Sequence, residues 1–426
     1  MDSFIIYCYV YLTVLGGNRR IDFMKKMMVF ILSLFMVLAV GSQPVLASSR
    51  IDATAAIMVD ASTGQIIYKQ NIEKALPVAS ITKLLTILVI EDEIQQKQLS
   101  WDTRIKITPE IAAISNDSAY SSIGLKSGQS YSVRTLINAA LVKSADGATI
   151  ALATATGDGT DEFNLKMMQK AKKIGMTHTN IVNSVGLDNG DMKSFKLADL
   201  PNNAANTMSA RDVAILSQYL IKHYPELLQI TAQKEVKFQI AKGQVKTEKN
   251  LNKMLPGEQY SVKGVTIDGL KTGTSDSAGA CFASTGKYRG HRIVTVILHS
   301  KGDNKDNRFK ATQALYKILK NEYHLQKIKV PSSVTTRKVA NGAEKTMKLG
   351  PRQVTIWSPY DTKTDYTIGT QYKTNQLEAP IWKGEHVGNL RITSDQLETL
   401  TGEPLTYSLY SVNDVRRGNF WQRLLH

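Results

Sequence analysis

The sequence predicts an α+β chain: a larger domain that mixes strand hairpins with buried helices, then a small all-β domain. Three observations carry this. Ala55–Asp60 and Gln65–Tyr68 read as short strands joined by a turn at Ala61–Gly64, and a second pair, Ala278–Lys287 and His291–His299, turns at Tyr288–Gly290. Between the two hairpins lie apolar runs at helical spacing, Leu84–Ile90, Val133–Val142 and Ala148–Ala155. Near Glu322 the composition changes to short strands and turns rich in Lys, Thr, Val and Gly.

The chain has 426 residues, enough for two or three domains. Residues 1–47 are set apart as an upstream extension plus a secretory leader. Lys25-Lys26 precede the apolar run Met27–Val40, and Val45-Leu46-Ala47 supplies a small-residue cleavage site. Met24 reads as the start, and cleavage after Ala47 is expected. The leader holds +2 of the formal +16, so the exported chain carries +14. No zinc-finger spacing, RNA-binding aromatic motif or concentrated basic arm accompanies that charge, so nucleic acid is not expected as a partner. Anionic cell-wall polymers and lipid headgroups are the simpler counterparts for an exported protein. Cys8 precedes the leader, which leaves Cys281 alone and excludes an intrachain disulfide.

Taken in order, the first hairpin leads to Pro77-Val-Ala-Ser80-Ile-Thr-Lys83 at the head of the apolar run. Pro77 suits the start of a helix, and Ser80 and Lys83, three apart, share one helix face. A hydroxyl needs a base beside it to act as a nucleophile, and burial lowers the pKa of a lysine enough to make it one. Glu91, Asp92, Glu93 and Lys97 are expected at the polar end of this helix. Thr103–Thr108 alternates as a strand, with Pro109 closing it. Ser121–Ser130 reads as loop. Lys143-Ser144-Ala145-Asp146-Gly147 breaks two buried helices, an unusual place for polar side chains unless they are used. Asp161–Lys173 is an amphipathic helix expected to pack Phe163, Leu165, Met167 and Met168. Asn180–Asn206 is a long Asn-, Asp- and Gly-rich loop of the kind that rims a site. Arg211–Tyr219 is helix. Asp268-Gly-Leu-Lys271-Thr272-Gly273-Thr274 adjoins the second hairpin. There Gly273 permits close approach of a ligand to the backbone, beside the charge of Lys271. Arg308–Leu319 is helix. The small β domain spans 325–413, and residues 414–426 form a basic, aromatic tail suited to an interfacial anchor. The sequence shows no dinucleotide fingerprint, P-loop, His-Glu-x-x-His or metal-ligand spacing, so neither cofactor nor metal is expected.

Ser80-x-x-Lys83, Ser144-Ala-Asp146 and Lys271-Thr-Gly273 occur in one chain and in one order. This combination resembles the low-molecular-weight penicillin-binding proteins that are D-alanyl-D-alanine carboxypeptidases. The resemblance runs from about Asp52 to the C-terminus, with Asp60-Ala-x-Thr-Gly64 and Ala379-Pro-Ile-Trp-Lys-Gly384 among the matching stretches. It implies a penicillin-binding-protein/β-lactamase-like transpeptidase domain over 48–324, a central antiparallel sheet flanked by helices. It also implies a β-rich domain standing between the enzyme and a C-terminal membrane helix. By the same resemblance, Ser80 is the acylated nucleophile, Lys83 takes its proton and Ser144 relays protons to the leaving group. Lys271 and Thr272 hold the substrate carboxylate, and Gly273 and Thr274 complete that strand. The backbone N–H groups of Ser80 and Thr274 form an oxyanion hole. Arg308 is a further candidate to face the carboxylate. The implied substrate is a peptidoglycan stem peptide ending in D-Ala-D-Ala, with β-lactams as covalent inhibitors and an extracytoplasmic location.

Asp146 departs from the resemblance, which has asparagine there; Gly147 replaces a residue that is often acidic. An ionised aspartate only accepts hydrogen bonds. It either holds Lys83 charged, or is protonated, or orients Lys83 or Ser144. Two alternatives share the motifs. A class A β-lactamase-like hydrolase would turn over a chromogenic cephalosporin rapidly. A non-catalytic wall-binding module would gain no β-lactam adduct on Ser80.

Overall fold

The computed structural model describes residues 50–424. The expected leader, its cleavage after Ala47 and the start at Met24 lie outside the described residues. The chain divides after Arg50, and Ile51 onward is one compact unit.

Five antiparallel strands form the central sheet: β1 (Ala53–Asp60), β2 (Ile66–Gln70), β3 (Thr266–Ser275), β4 (Gly279–Tyr288) and β5 (His291–Ser300), in the order β2-β1-β5-β4-β3. The first strand pairs with the last, from Ala53 against Ser300 to Asp60 against Ile293, so residues far apart in sequence close the sheet. Both predicted hairpins are present. Asp60 fixes the first turn by accepting hydrogen bonds from the Ser62 and Thr63 N–H groups. Arg289 and Gly290 take positive φ in the second, as a two-residue hairpin turn requires. Side chains alternate across β1. Ala55, Ile57 and Val59 face the helices α1 (Lys83–Gln95), α2 (Asp146–Ala153) and α4 (Ala210–His223), while Ala56 and Met58 face α5 (Asn307–Glu322). Both sheet faces are thus covered, and β1 is apolar almost throughout.

Helix α1 is enclosed on all sides, with Leu84, Leu85, Ile87, Leu88 and Ile90 buried. Its acidic residues stand near the end of the helix as expected, and Glu91 and Glu93 are buried there. Lys166 of α3 (Thr160–Lys173) reaches Glu93 at 2.9 Å. Burial, helped by the charges of Glu226 and Asp92, pushes the Glu91 carboxyl up to about 8. Two expectations are corrected. Pro109 does not end a strand; it opens the helix Pro109–Ser115, because Thr108 accepts from the Ile111 N–H and the Thr-Pro-Glu sequence is a helix start. Leu165 is exposed, since Phe163, Met167 and Lys170–Ala171 define the buried stripe of α3 and Leu165 falls on its opposite side.

The second part is β-rich. Tyr323–Lys329 pairs with Gln353–Pro359, and six further strands form a sheet over the core of Ile328, Leu349, Ile356, Leu390 and Leu409. Val415 is buried and pairs with Ile381, and Gly418 is buried beside Gly342. The tail expected from 414 is therefore tied to this unit up to Gly418 through Val415 and Gly418. The β-rich unit grips the sheet at its β2 edge. Glu398–Leu400 lies along Gly64–Ile66 (Ile66 N to Glu398 O 2.8 Å, Leu400 N to Gly64 O 2.9 Å), covering an otherwise open strand edge. Trp357 is buried against Tyr288 and donates to Asp60 Oδ2 at 3.0 Å, while its backbone exchanges two hydrogen bonds with Gln65. Burial works against the Asp60 charge, but the bonds from His291 and Trp357 hold its carboxyl below the ordinary range. Among the described residues no helix is long and apolar enough to cross a membrane.

Candidate active site

The site lies where the edge strand β3 meets the chain entering α1. Leu76–Pro77 is a short strand paired with Thr207–Met208, so Pro77 does not open the helix as its type suggests. One 3-10 turn, Ala79–Thr82, intervenes, with Ala79 at φ 46°. In such a turn residues three apart stack over one another. Ser80 is half-buried and reachable; Lys83, the first residue of α1, is wholly buried, with Nζ 2.7 Å from Ser80 Oγ.

Lys83 has two more partners: Asp146 Oδ1 at 2.7 Å and the Val185 carbonyl at 2.8 Å. Both only accept. A neutral amine has two N–H groups and one lone pair, so it fills both acceptors and keeps its lone pair for the Ser80 O–H. A charged amine donates to all three. Burial pulls the Lys83 pKa down, the charge and hydrogen bond of Asp146 push it up, and the balance is downward.

Asp146 begins α2 and is buried. Its Oδ2 accepts from the Ser121 N–H at 3.0 Å, so both carboxylate oxygens serve as acceptors. The direct pairing suits a carboxylate that favours the charged amine and one that orients it alike. The preceding helix opens into a π-turn at Ala139–Lys143, which delivers Ser144 in the left-handed region at φ 62°. Gly147 lets α2 approach Ser115, where a Cβ would stand 2.8 Å from the Ser115 Cβ.

Strand β3 brings the third group. Lys271 is buried and donates to Ser144 Oγ at 2.8 Å and to the Thr272 carbonyl at 2.9 Å. Burial and then the Lys83 charge hold its pKa well below the usual lysine range, opposed by Asp146. Thr272 is buried and Thr274 exposed. Gly273 is glycine for a reason other than the expected ligand approach. A Cβ there would lie 2.4 Å from the Val78 carbonyl, so the space belongs to the turn that carries Ser80. Arg308, at the head of α5, is buried and bonds the Gly273 and Cys281 carbonyls, the Lys305 carbonyl and Thr274 Oγ1 (2.7 Å). The structure thus gathers Ser80, Lys83, Ser144, Asp146 and Lys271–Thr274 in one place, with Arg308 bracing the strand from behind.

Two supports were not named from the sequence. The Val185 carbonyl and the Ser121 N–H are backbone groups, which residue types do not advertise. A third support, the loop at Val182–Gly186, lies inside the loop expected to rim the site. Asn183 accepts from the Val185 and Gly186 N–H groups, and Asn206 ties Val182 and Asn183 to Thr82. Gly186, at φ +86°, fits where a Cβ would lie 2.0 Å from the Ala79 carbonyl. The available signal was the long loop from Asn180 to Asn206, which does reach the site. Cys281 is buried and free, and burial raises its thiol to about 11, so it is unreactive. Among the described residues no cluster of side chains is arranged to hold a metal ion.

Comparison with known proteins gives two family matches. Residues 41–302 match the D-alanyl-D-alanine carboxypeptidase family, and residues 323–417 match the C-terminal domain of penicillin-binding protein 5. The chain is 26% identical to D-alanyl-D-alanine carboxypeptidase DacC of Escherichia coli K12 over 92% of each sequence, and 24% identical to DacF of Bacillus subtilis over 87% of each. Its fold superposes on penicillin-binding protein 3 of Streptococcus pneumoniae with a TM-score of 0.77 at 28% identity, covering 86% of this chain and 100% of that one. Penicillin-binding protein D2 of Listeria monocytogenes, in an ampicillin-bound form, matches 63% of this chain and 98% of its own at 29% identity and a TM-score of 0.52.

Proposed function

The chain belongs to the D-alanyl-D-alanine carboxypeptidase family, and from that premise we propose that it removes the terminal D-Ala of peptidoglycan stem peptides through an acyl-enzyme on Ser80. The observation that carries this reading is the Ser80–Lys83 contact at 2.7 Å, with Lys83 buried and its other two partners pure acceptors. Neutral Lys83 takes the Ser80 proton as Oγ bonds to the carbonyl carbon of the penultimate D-Ala. The backbone N–H groups of Ser80 and Thr274 stabilise the oxyanion. When the C–N bond breaks, Lys83 passes that proton through Ser144, which Lys271 orients by its 2.8 Å hydrogen bond, to the departing amine. Water then gives a proton to Lys83, neutral again, and attacks the ester carbon; as the ester C–O bond breaks, Lys83 returns the proton to Ser80 Oγ. Lys271, Thr272 and Thr274 receive the terminal carboxylate, and Arg308 acts through Thr274, the residue its guanidinium holds. Lys271 and Arg308 beside the site favour an anionic substrate end. β-Lactams acylate the same serine.

The test is release of D-alanine from a soluble D-Ala-D-Ala peptide. Wild-type protein releases it, and Ser80→Ala with unchanged circular dichroism does not. Equal release by the two would remove Ser80 from the chemistry.

We read residues 48–324 as the catalytic domain and the β-rich unit as its stand on the outer face of the membrane, where anionic wall polymers and headgroups meet the basic chain. Export by cleavage after Ala47 rests on Lys25-Lys26, the apolar run and Val45-Leu-Ala47. N-terminal sequencing of the surface form checks it, with Ser48 the expected first residue.

A further inference from the structure

The six-stranded sheet of the β-rich unit ends on Thr367–Tyr372, which is hydrogen-bonded on one side only, to His386–Thr393. An open strand edge is a template for another chain, and proteins blunt it with short strands, Lys, Pro or a bulge. The other end of this sheet follows that rule, since Leu377–Glu378 is two residues long. The segment Thr367-Ile-Gly-Thr-Gln-Tyr372 does not. It holds no charge and no proline, and its pairing runs over six residues without a bulge. Thr367, Gly369, Thr370 and Gln371 are exposed.

The hydrogen-bond phase of this edge is fixed. The Lys373 N–H bonds the Val387 carbonyl at 3.0 Å, and the register sets those two residues opposite each other. Backbone groups alternate along an antiparallel strand, so Thr367, Gly369 and Gln371 also turn theirs towards His386–Thr393. Ile368, Thr370 and Tyr372 turn theirs outward. Gly369 stands in the middle. A Cβ there would meet nothing within 4 Å, and its φ is not positive, so no contact or strain within the chain calls for glycine. Glycine weakens a strand interior and often marks the close approach of another backbone. Asp365 and Lys373, four residues to either side, are both exposed, and neither takes part in an ion pair among the described residues. Arg391, one strand further in, is already paired with Glu403.

We propose that Thr367–Tyr372 pairs antiparallel with the same strand of a second copy of this chain, about a twofold axis through Gly369. With Gly369 opposite Gly369, Ile368 faces Thr370 of the second copy and the outward N–H and C=O groups of both meet as hydrogen-bonded pairs. Gly369 falls on a non-hydrogen-bonded pair, where two backbones come closest, about 4.5 Å between Cα atoms. Asp365 falls opposite Lys373 of the second copy, and symmetry repeats that opposite-charge pair on the far side of the axis. Tyr366 falls opposite Tyr372 of the second copy on the face that packs against the core. The charges select this register. Centring on Ile368 would set Lys363 against Lys373, and centring on Thr370 would leave Asp365 opposite Asn375. An extended segment of a different protein would leave Gly369 and both charges without an explanation. One strand pair is smaller than a standard interface, so the dimer is weak and concentration-dependent. The pairing strand carries none of the catalytic groups, so each copy keeps its own site.

The experiment is sedimentation velocity on residues 48–426 over a concentration series reaching the millimolar range, with D-alanine release from a soluble peptide measured in parallel. Wild type is expected to pass from monomer to dimer as concentration rises. Thr370→Pro removes an outward N–H and leaves the ladder to His386–Thr393 intact. It is expected to weaken dimerisation about tenfold, since each copy loses one hydrogen bond. Lys373→Glu sets carboxylates against each other and weakens it severalfold, and Asp365→Lys added to it restores the dimer. D-alanine release stays at the wild-type level in all of these. Disulfide trapping reads the register. Cys281 is buried, so Gly369→Cys supplies the one accessible thiol of residues 48–426 and is expected to crosslink to its own copy under mild oxidation. Thr367→Cys alone links slowly, because its copy stands about 13 Å away, but links readily when mixed with Gln371→Cys. A wild type that stays monomeric throughout the series overturns the proposal and leaves the edge to a different occupant. A dimer that neither Thr370→Pro nor Lys373→Glu weakens overturns it as well, by placing the interface elsewhere. So does Thr367→Cys linking to itself faster than Gly369→Cys.

Discussion

Lys83 Nζ lies 2.7 Å from Asp146 Oδ1, and both side chains are shut away from solvent. In the mechanism proposed above, the pair sets the working range of the base. Burial favours the neutral amine and Asp146 favours the charged one, and burial prevails. Acylation therefore rises with pH through a Lys83 pKa that lies below the ordinary lysine value.

Asp146→Asn removes the charge that opposes burial. The ascending limb of the acylation profile should move to lower pH, and acylation at neutral pH should quicken. The pH dependence of the second-order rate with a reporter β-lactam measures this. An unmoved limb would show that Asp146 does not tune Lys83.

Lys83→Ala leaves Ser80 without a base and Asp146 without its cation. Acylation should fall by about two to four orders of magnitude, the range of a lost general base. The residual rate should be near-flat across pH, because the titrating group itself is gone, so the fall is largest above the Lys83 pKa. A variant that keeps the wild-type pH profile would assign the base elsewhere.

Lys271 sits between Ser144 and the proposed carboxylate position. Lys271→Ala should depress kcat/KM for a free-acid peptide far more than for its C-terminal amide. Equal losses on the two substrates would limit Lys271 to orienting Ser144.

Gly186→Ala places a Cβ 2.0 Å from the Ala79 carbonyl and strains a residue at φ +86°. The cost should be about 1–3 kcal/mol of stability, read as a lowered Tm. Because the displaced turn carries Ser80 and the moved loop carries the Val185 carbonyl, acylation should fall with it. Wild-type acylation in a folded variant would show that the loop is not coupled to the nucleophile.

What the sequence made legible was local. Ser80 and Lys83 are three apart at the head of an apolar run, and both hairpins carry their turn residues with them. The polar break at Ser144–Asp146 stood out because apolar helices flank it. What escaped were relationships between distant backbones. The Val185 carbonyl that fills one acceptor place on Lys83 comes from 102 residues away, and carbonyls carry no residue signature. Gly273 was recognised as a close approach, yet its neighbour is the Val78 carbonyl, a contact set by how β3 meets the Ser80 turn. The burial of Glu91 and Glu93 was not legible for a related reason, since whether an acidic helix end is solvated depends on what packs over it, here α3 through Lys166.

The most direct measurement of the central claim is intact mass spectrometry after incubation with penicillin, followed by peptide mapping, on wild type and Ser80→Ala. The account predicts a stoichiometric gain of one penicilloyl group on Ser80 and none on the variant. A wild-type protein that gains no mass, or an adduct mapped to a residue other than Ser80, would contradict it.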